Sequence, residues 1–373
     1  MDNWLSVLFY LWAFGLSVYL VWMGGFSCAR PIKLQINKKK WTINWSIILG
    51  LLIPILIIGL RASSVGTDTA THIREFEFGV SGQDRSANTI EPLFFILTWV
   101  SNFLVGGPLV LFLFYAAVLV VFTYLAIKRW VPKEDVWVVF ALFMFILIPL
   151  GMNGMRQLSA IAIAFYGFRY IYERKLWKWI GIIALAALFH LSVGIVLPLY
   201  LLFCKKLFET SKYKDLTRLF FPAICYICLV VGLWFSLDIL LYLNLVPPRY
   251  IPYIGGASTH RMVYVSLAWM WLVGIIFMAK RMGSGKKHLF IYSLSLVALP
   301  LNMLNMVMYY GGRTFYYIIP AILVGLYYSS HKIIGKNKRL ASGVCVAAAI
   351  AFFLLYFVWM GASQIVPYRS IFL

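Results

Sequence analysis

Acidic residues are scarce: 12 Asp and Glu stand against 33 Lys and Arg in 373 residues, a net charge of +21. Charged residues make up only 12% of the chain, 63% is hydrophobic, and the mean hydropathy is +0.88. That is too little polar surface to cover a soluble globule, so the chain belongs in a bilayer. The basic excess does not mark a nucleic-acid partner, because Lys and Arg are scattered between apolar runs rather than gathered in one basic domain with interleaved aromatics. Cysteine is also sparse, at five residues. Cys225 and Cys228 have the spacing of a redox or zinc pair but no second Cys or His pair nearby, so no metal is expected. The segment Gly283-Ser284-Gly285-Lys286-Lys287 lacks the first glycine and the final Ser or Thr of a phosphate loop, and no nucleotide site or other cofactor is expected.

What the chain has instead is apolar runs of about 15 to 25 residues separated by short charged connectors, the pattern of a polytopic helical membrane protein. The expected fold is all-α, a single transmembrane domain over 1–373 with 10–14 membrane segments, some short or re-entrant. The first run lacks a basic flank and is too long for a cleavable signal, so it is read as a span. Placing basic connectors on the cytoplasmic side puts both termini outside. It also puts outside the polar stretch from 61, followed by an interfacial helix ending near 105, and a second loop at 247–261. The stretch 177–204 lies between two basic connectors and, at about 1.5 Å per helical residue, is too short to cross twice. Two short helices meeting near His190 fit it, buried against protein because lipid does not tolerate broken backbone.

In this topology all 18 lysines lie inside, whereas the 15 arginines divide. Arg61, Arg74, Arg85, Arg156, Arg249, Arg261, Arg313 and Arg369 fall outside. Arginine's planar fork engages phosphate or carboxylate at two points and lysine's ammonium does not, so an outer face with arginine alone points to an anionic ligand there. Arg156, Arg261 and Arg313 each open a descending segment. A cation at a helix N-terminus costs a few tenths of a kcal/mol unless an anion answers it. The competing reading is that these arginines only anchor helix ends among lipid headgroups.

Asp68, in the Gly66-Thr67-Asp68-Thr69 turn, is a candidate general base, an acceptor for a sugar hydroxyl, or only a turn former. Glu91 before Pro92 reads as the first acid of a helix. His190, deep in an apolar stretch with Ser192 beyond it, is a functional candidate or a histidine satisfying broken backbone.

Taken together, Arg61 with Val65-Gly66-Thr67-Asp68-Thr69, Glu91, Met155-Arg156-Gln157, Phe189-His190-x-Ser192 and Gly312-Arg313 resemble the EpsG family of Wzy-type polysaccharide polymerases. One position departs, since His72 stands where the family has tyrosine. The resemblance implies a GT-C-type glycosyltransferase of the bacterial inner membrane. Its donor and acceptor would be undecaprenyl-pyrophosphate-linked oligosaccharides, joined at the outer face. Asp68, His190 and Arg156 would be catalytic, and Arg61, Arg156, Arg249, Arg261, Arg313 and Glu91 would bind substrate or pyrophosphate. Its surroundings would be membrane lipid and, as protein partners, a chain-length regulator and a flippase of the same pathway. Two rivals share the arginine-rich outer face. A flippase or transporter of the same lipid-linked sugars should show repeated halves, which are not seen. An O-antigen-ligase-type transferase differs only in its acceptor.

Overall fold

The computed structural model describes residues 3–25, 32–36, 39–81, 91–203, 214–243, 286–304 and 311–372. Helix α6 (Val136–Gly151) runs through the middle, buried along its length apart from partial exposure at Trp137 and Ile146. A helix apolar on every side has no water-facing stripe and can only be interior to a bundle. Around it stand α1 (Asn3–Gly25), α5 (Leu109–Trp130), α7 (Met155–Tyr172) and α14 (Lys338–Phe352), the last continuing as a π-helix to Trp359. Among the described residues four helical stretches are long and apolar enough to cross a membrane: Asn3–Gly25, Leu109–Trp130, Lys133–Gly151 and Lys338–Trp359. Shorter apolar helices accompany them, including α2 (Trp45–Gly59), α4 (Pro92–Val105) and α8 (Leu176–Ala187). The protein is a polytopic, predominantly helical membrane protein.

The bundle has two ends. At one end Lys287 Nζ donates to the Arg129 carbonyl, the Tyr327 hydroxyl donates to Asp135 at 2.6 Å, and Lys133 and Lys175 close the neighbouring connectors. At the other end the turn after α2, the turn between α6 and α7, and the segment after α14 meet. Tryptophans ring both: Trp4 and Trp359 stand exposed at the second end, and Trp22, Trp45 and Trp177 at the first. Amphipathic indoles at two levels are the mark of two membrane–water interfaces.

Two elements depart from the sequence expectation. The basic connector after α1 forms a hairpin, β1 (Ile32–Ile36) paired antiparallel with β2 (Lys39–Ile43). The polar stretch after Arg61, expected as an extracytoplasmic loop, contains α3 (Thr69–Ser81). Thr69, His72 and Phe76 share its buried face while Arg74, Glu77 and Phe78 face out, which is helical spacing. The apolar stretch after Lys175 is broken. Helix α8 ends at Ala187, His190 is extended at φ −162°, and a 3-10 turn (Leu191–Val196) and the short α9 (Leu199–Leu202) follow.

Residues 361–371 fold back as a strap over the second end. The Gly66 N–H donates to the Gln364 carbonyl at 3.0 Å, Ala62 N–H to Arg369 at 2.8 Å, and Ile371 N–H to Leu60 at 2.9 Å. Tyr10 and Tyr368 pin the strap to the helices, Tyr10 donating to the Ile365 carbonyl and Tyr368 to that of Ile57.

Candidate functional site

The strap, α3 and the α6–α7 turn frame a contiguous chain of polar side chains. It starts with Arg313, on a 3-10 turn (Gly311–Tyr317), whose Nη1 donates to Asp68 Oδ2 at 3.1 Å. The Asp68 N–H donates to Asn153 Oδ1 at 2.8 Å, and Thr67 donates to the same oxygen. The Asn153 carbonyl lies 3.3 Å from His72 Nε2, and His72 Nδ1 lies 3.3 Å from Glu75 Oε2. Arg156 then bridges two carboxylates. Its Nη2 donates to both oxygens of Glu75 at 2.9 and 3.1 Å, and its Nη1 to Glu91 Oε2 at 3.1 Å. The other oxygen of Glu91 lies 2.7 Å from His190 Nδ1. Two neutral ties brace the far side: Gln157 donates to the Arg313 carbonyl at 3.1 Å, and Ser192 and Tyr317 hydroxyls lie 2.9 Å apart.

Each member is placed by local geometry. Gly66 permits the turn before α3: its φ is +89°, and a Cβ there would stand 2.6 Å from the Met152 carbonyl. Pro92 at the first position of α4 leaves Glu91 as the helix N-cap, at the end where a carboxylate is favoured. Arg156 is the second residue of α7, where the helix dipole opposes it. The anion this position demands is supplied from within the chain by Glu75 and Glu91. The Phe94 ring, with the Arg156 guanidinium carbon 4.9 Å above its centroid, completes the pocket.

The charges follow from these partners. Burial pushes the Glu91 carboxyl up, but the His190 hydrogen bond and the Arg156 charge outweigh it, so the group lies below the usual carboxylate range. Glu75 lies below that range too, burial being outweighed by His72 and Arg156. Burial holds His72 below the usual histidine range, with the Glu75 hydrogen bond partly opposing. With Glu91 ionised, His190 presents a donor at Nδ1, which in the neutral ring leaves Nε2 as the acceptor nitrogen. The His190 side chain is 31% exposed.

Arg61 does not fit the role expected of it. It is 0% exposed beneath the turn, with Nε donating to Thr69 Oγ1 at 3.1 Å, Nη1 to the Ile58 carbonyl, and the Phe112 ring 4.7 Å from its guanidinium carbon. Burial lowers its pKa to about 10, opposed by Tyr10 and Tyr368, so it remains a cation at neutral pH. It holds the turn together and has no open face to offer a pyrophosphate. Arg249 and Arg261 lie outside the described residues. Asp68, Glu91, Arg156, His190 and Arg313 are brought together. Sequence reasoning missed Asn153 and the roles of His72 and Glu75. The His72-x-x-Glu75 spacing on one helical face was the available signal.

The family model for EpsG matches residues 44–370, most of the chain and every member of this site. The chain belongs to the EpsG family. This family consists of membrane proteins like the Wzy-type polysaccharide polymerases. No curated protein and no solved structure matches this chain.

Proposed function

We propose that this EpsG-family protein is a membrane glycosyltransferase that polymerises oligosaccharide repeat units carried on undecaprenyl pyrophosphate, at the outer face of the bacterial inner membrane. The observation that carries the reading is the Glu91–His190 pair. A carboxylate fixed by Arg156 orients the imidazole through Nδ1 and stabilises the imidazolium that forms, and Nε2 of the partly exposed ring takes the proton of an acceptor hydroxyl. That oxygen attacks the anomeric carbon of the donor sugar, the bond from this carbon to the pyrophosphate oxygen breaks, and its electron pair leaves with the pyrophosphate. Arg313, its side chain 37% exposed and its direction set by Asp68, is the cation placed to meet the leaving charge. The lysine-bearing end faces the cytoplasm by the positive-inside rule, which puts the site outside.

The test is the pair His190→Gln and Glu91→Gln in cells making the polymer. Single lipid-linked repeat units should accumulate and long polymer should be lost. Polymer of normal length from either variant refutes the pair as catalytic. Repeat units trapped on the inner leaflet would mark a flippase instead, and finished but unattached polymer a ligase.

A further inference from the structure

Asn153, in the turn between α6 and α7, is held by its oxygen. Asn153 Oδ1 accepts the Thr67 hydroxyl at 2.5 Å and the Asp68 N–H at 2.8 Å. The second of these donors decides which end of the amide is which, because a backbone N–H can only donate and a nitrogen in that place would set two donors against each other. The Nδ2 edge therefore points away from the Thr67–Asp68 turn, and it has no hydrogen-bond partner among the described residues. The residue is half-buried and Nδ2 is not among the sealed, unpaired atoms of the interior, so an incoming group can reach it.

Two ties set this amide beside Arg313. Asp68 holds Asn153 through its N–H and Arg313 Nη1 through Oδ2 at 3.1 Å, so a single residue stands between the amide and the guanidinium. From the α7 side Gln157, four positions after Asn153, donates to the Arg313 carbonyl at 3.1 Å. A neutral donor beside a cation, each fixed by the same aspartate, suits an anionic oxygen better than any apolar group. We propose that Asn153 Nδ2 donates to an oxygen of the substrate's pyrophosphate, next to Arg313, and that this bond strengthens as the leaving group departs. The inference rests on the donor class proposed above and adds a second residue for the leaving charge. The bond from the anomeric carbon to the pyrophosphate oxygen breaks, its electron pair stays on that oxygen, the acceptor's proton goes to His190, and the amide transfers no proton. Because Thr67 and Asp68 keep the amide from rotating, the donor is in place before the charge develops.

The experiment compares three probes of falling charge, farnesyl pyrophosphate, farnesyl phosphate and farnesol, on purified protein in detergent. Asn153→Asp keeps an oxygen for Thr67 and Asp68 and replaces the donor edge with an anion. It should melt near the wild-type temperature and bind farnesyl pyrophosphate about ten- to a hundredfold more weakly, with a smaller loss for the monophosphate and none for the alcohol. A turn loosened with no part in binding would weaken all three alike. Asn153→Ala keeps the test decisive if the aspartate variant does not fold: its ratio of pyrophosphate to alcohol affinity should fall about tenfold. Equal losses across the probes, or an unchanged ratio, overturn the proposal, as does a wild-type protein that binds farnesol as tightly as farnesyl pyrophosphate. His190→Gln keeps the two readings apart. It should stop polymerisation with the wild-type ratio intact, and normal polymer from it would sink the catalytic pair while leaving the role of Asn153 standing.

Discussion

Arg156 and Glu75 are joined through one nitrogen and two oxygens, while the neighbouring nitrogen of Arg156 holds Glu91 on another helix. A single guanidinium thus ties α3 and the start of α4 to the top of α7.

That bridge separates charge from geometry in Arg156→Lys. A headgroup anchor needs only a cation on a flexible stem, so lysine would serve. A bridge to three carboxylate oxygens needs a planar fork, which an ammonium cannot reproduce. With the side chain 14% exposed, the loss is that of a mostly buried pair and is expected to reach about 3 kcal/mol. A lower melting temperature and single lipid-linked units in place of long polymer are expected. Normal polymer yield would return Arg156 to the role of an anchor.

Gly66→Ala tests the turn that carries Asp68. A side chain at φ +89° is strained wherever it points, and here it also meets the Met152 carbonyl at 2.6 Å. A loss of about 1 to 3 kcal/mol is expected, visible as reduced melting temperature. Gly181→Ala, in the interior of α8 with nothing within 4 Å of its added carbon, is the control and should melt at or slightly above the wild-type temperature. Equal behaviour of the two variants would mean the turn is not the constraint described.

The His72 ring gives a pH dependence whose sign is fixed by its burial. Its folded pKa lies below the unfolded value of about 6.5, so the unfolded chain binds the proton more tightly. Its share of stability is full above that value and lost as pH falls below it. Glu75 and Glu91, both depressed, contribute fully down to about pH 4.3 and lose their share only as pH falls through their lower folded values. The melting temperature of wild type should therefore fall more steeply than that of His72→Gln between pH 6.5 and 5. Parallel curves for the two proteins would show that His72 is not titrating there.

The spans were legible because length and hydropathy alone decide them. Helices α5, α6 and α7 lie where the apolar runs and basic connectors put them, and the break around His190 follows from a stretch too short to cross twice. Helix α3 was not legible as a membrane element, since its buried face is only Thr69, His72 and Phe76 in a polar stretch. Arg61 and Arg156 show the same limit in the site. Sequence reports that a position is charged and which side of the membrane it faces. It does not report depth, and it cannot tell an arginine awaiting an external anion from one answered by Glu75 and Glu91.

The strap has a consequence for synthesis. Gly66 and Ala62 hydrogen-bond to carbonyls at Gln364 and Arg369, about three hundred positions later. The turn that aims Asp68 is thus complete only once residues 361–371 have been made and laid against it. Until the ribosome has delivered that segment, a nascent chain carries every charged group of the site, yet lacks the clasp that closes it. A chain cut before Gly361 is therefore expected to keep its helices and lose the clasp on the turn.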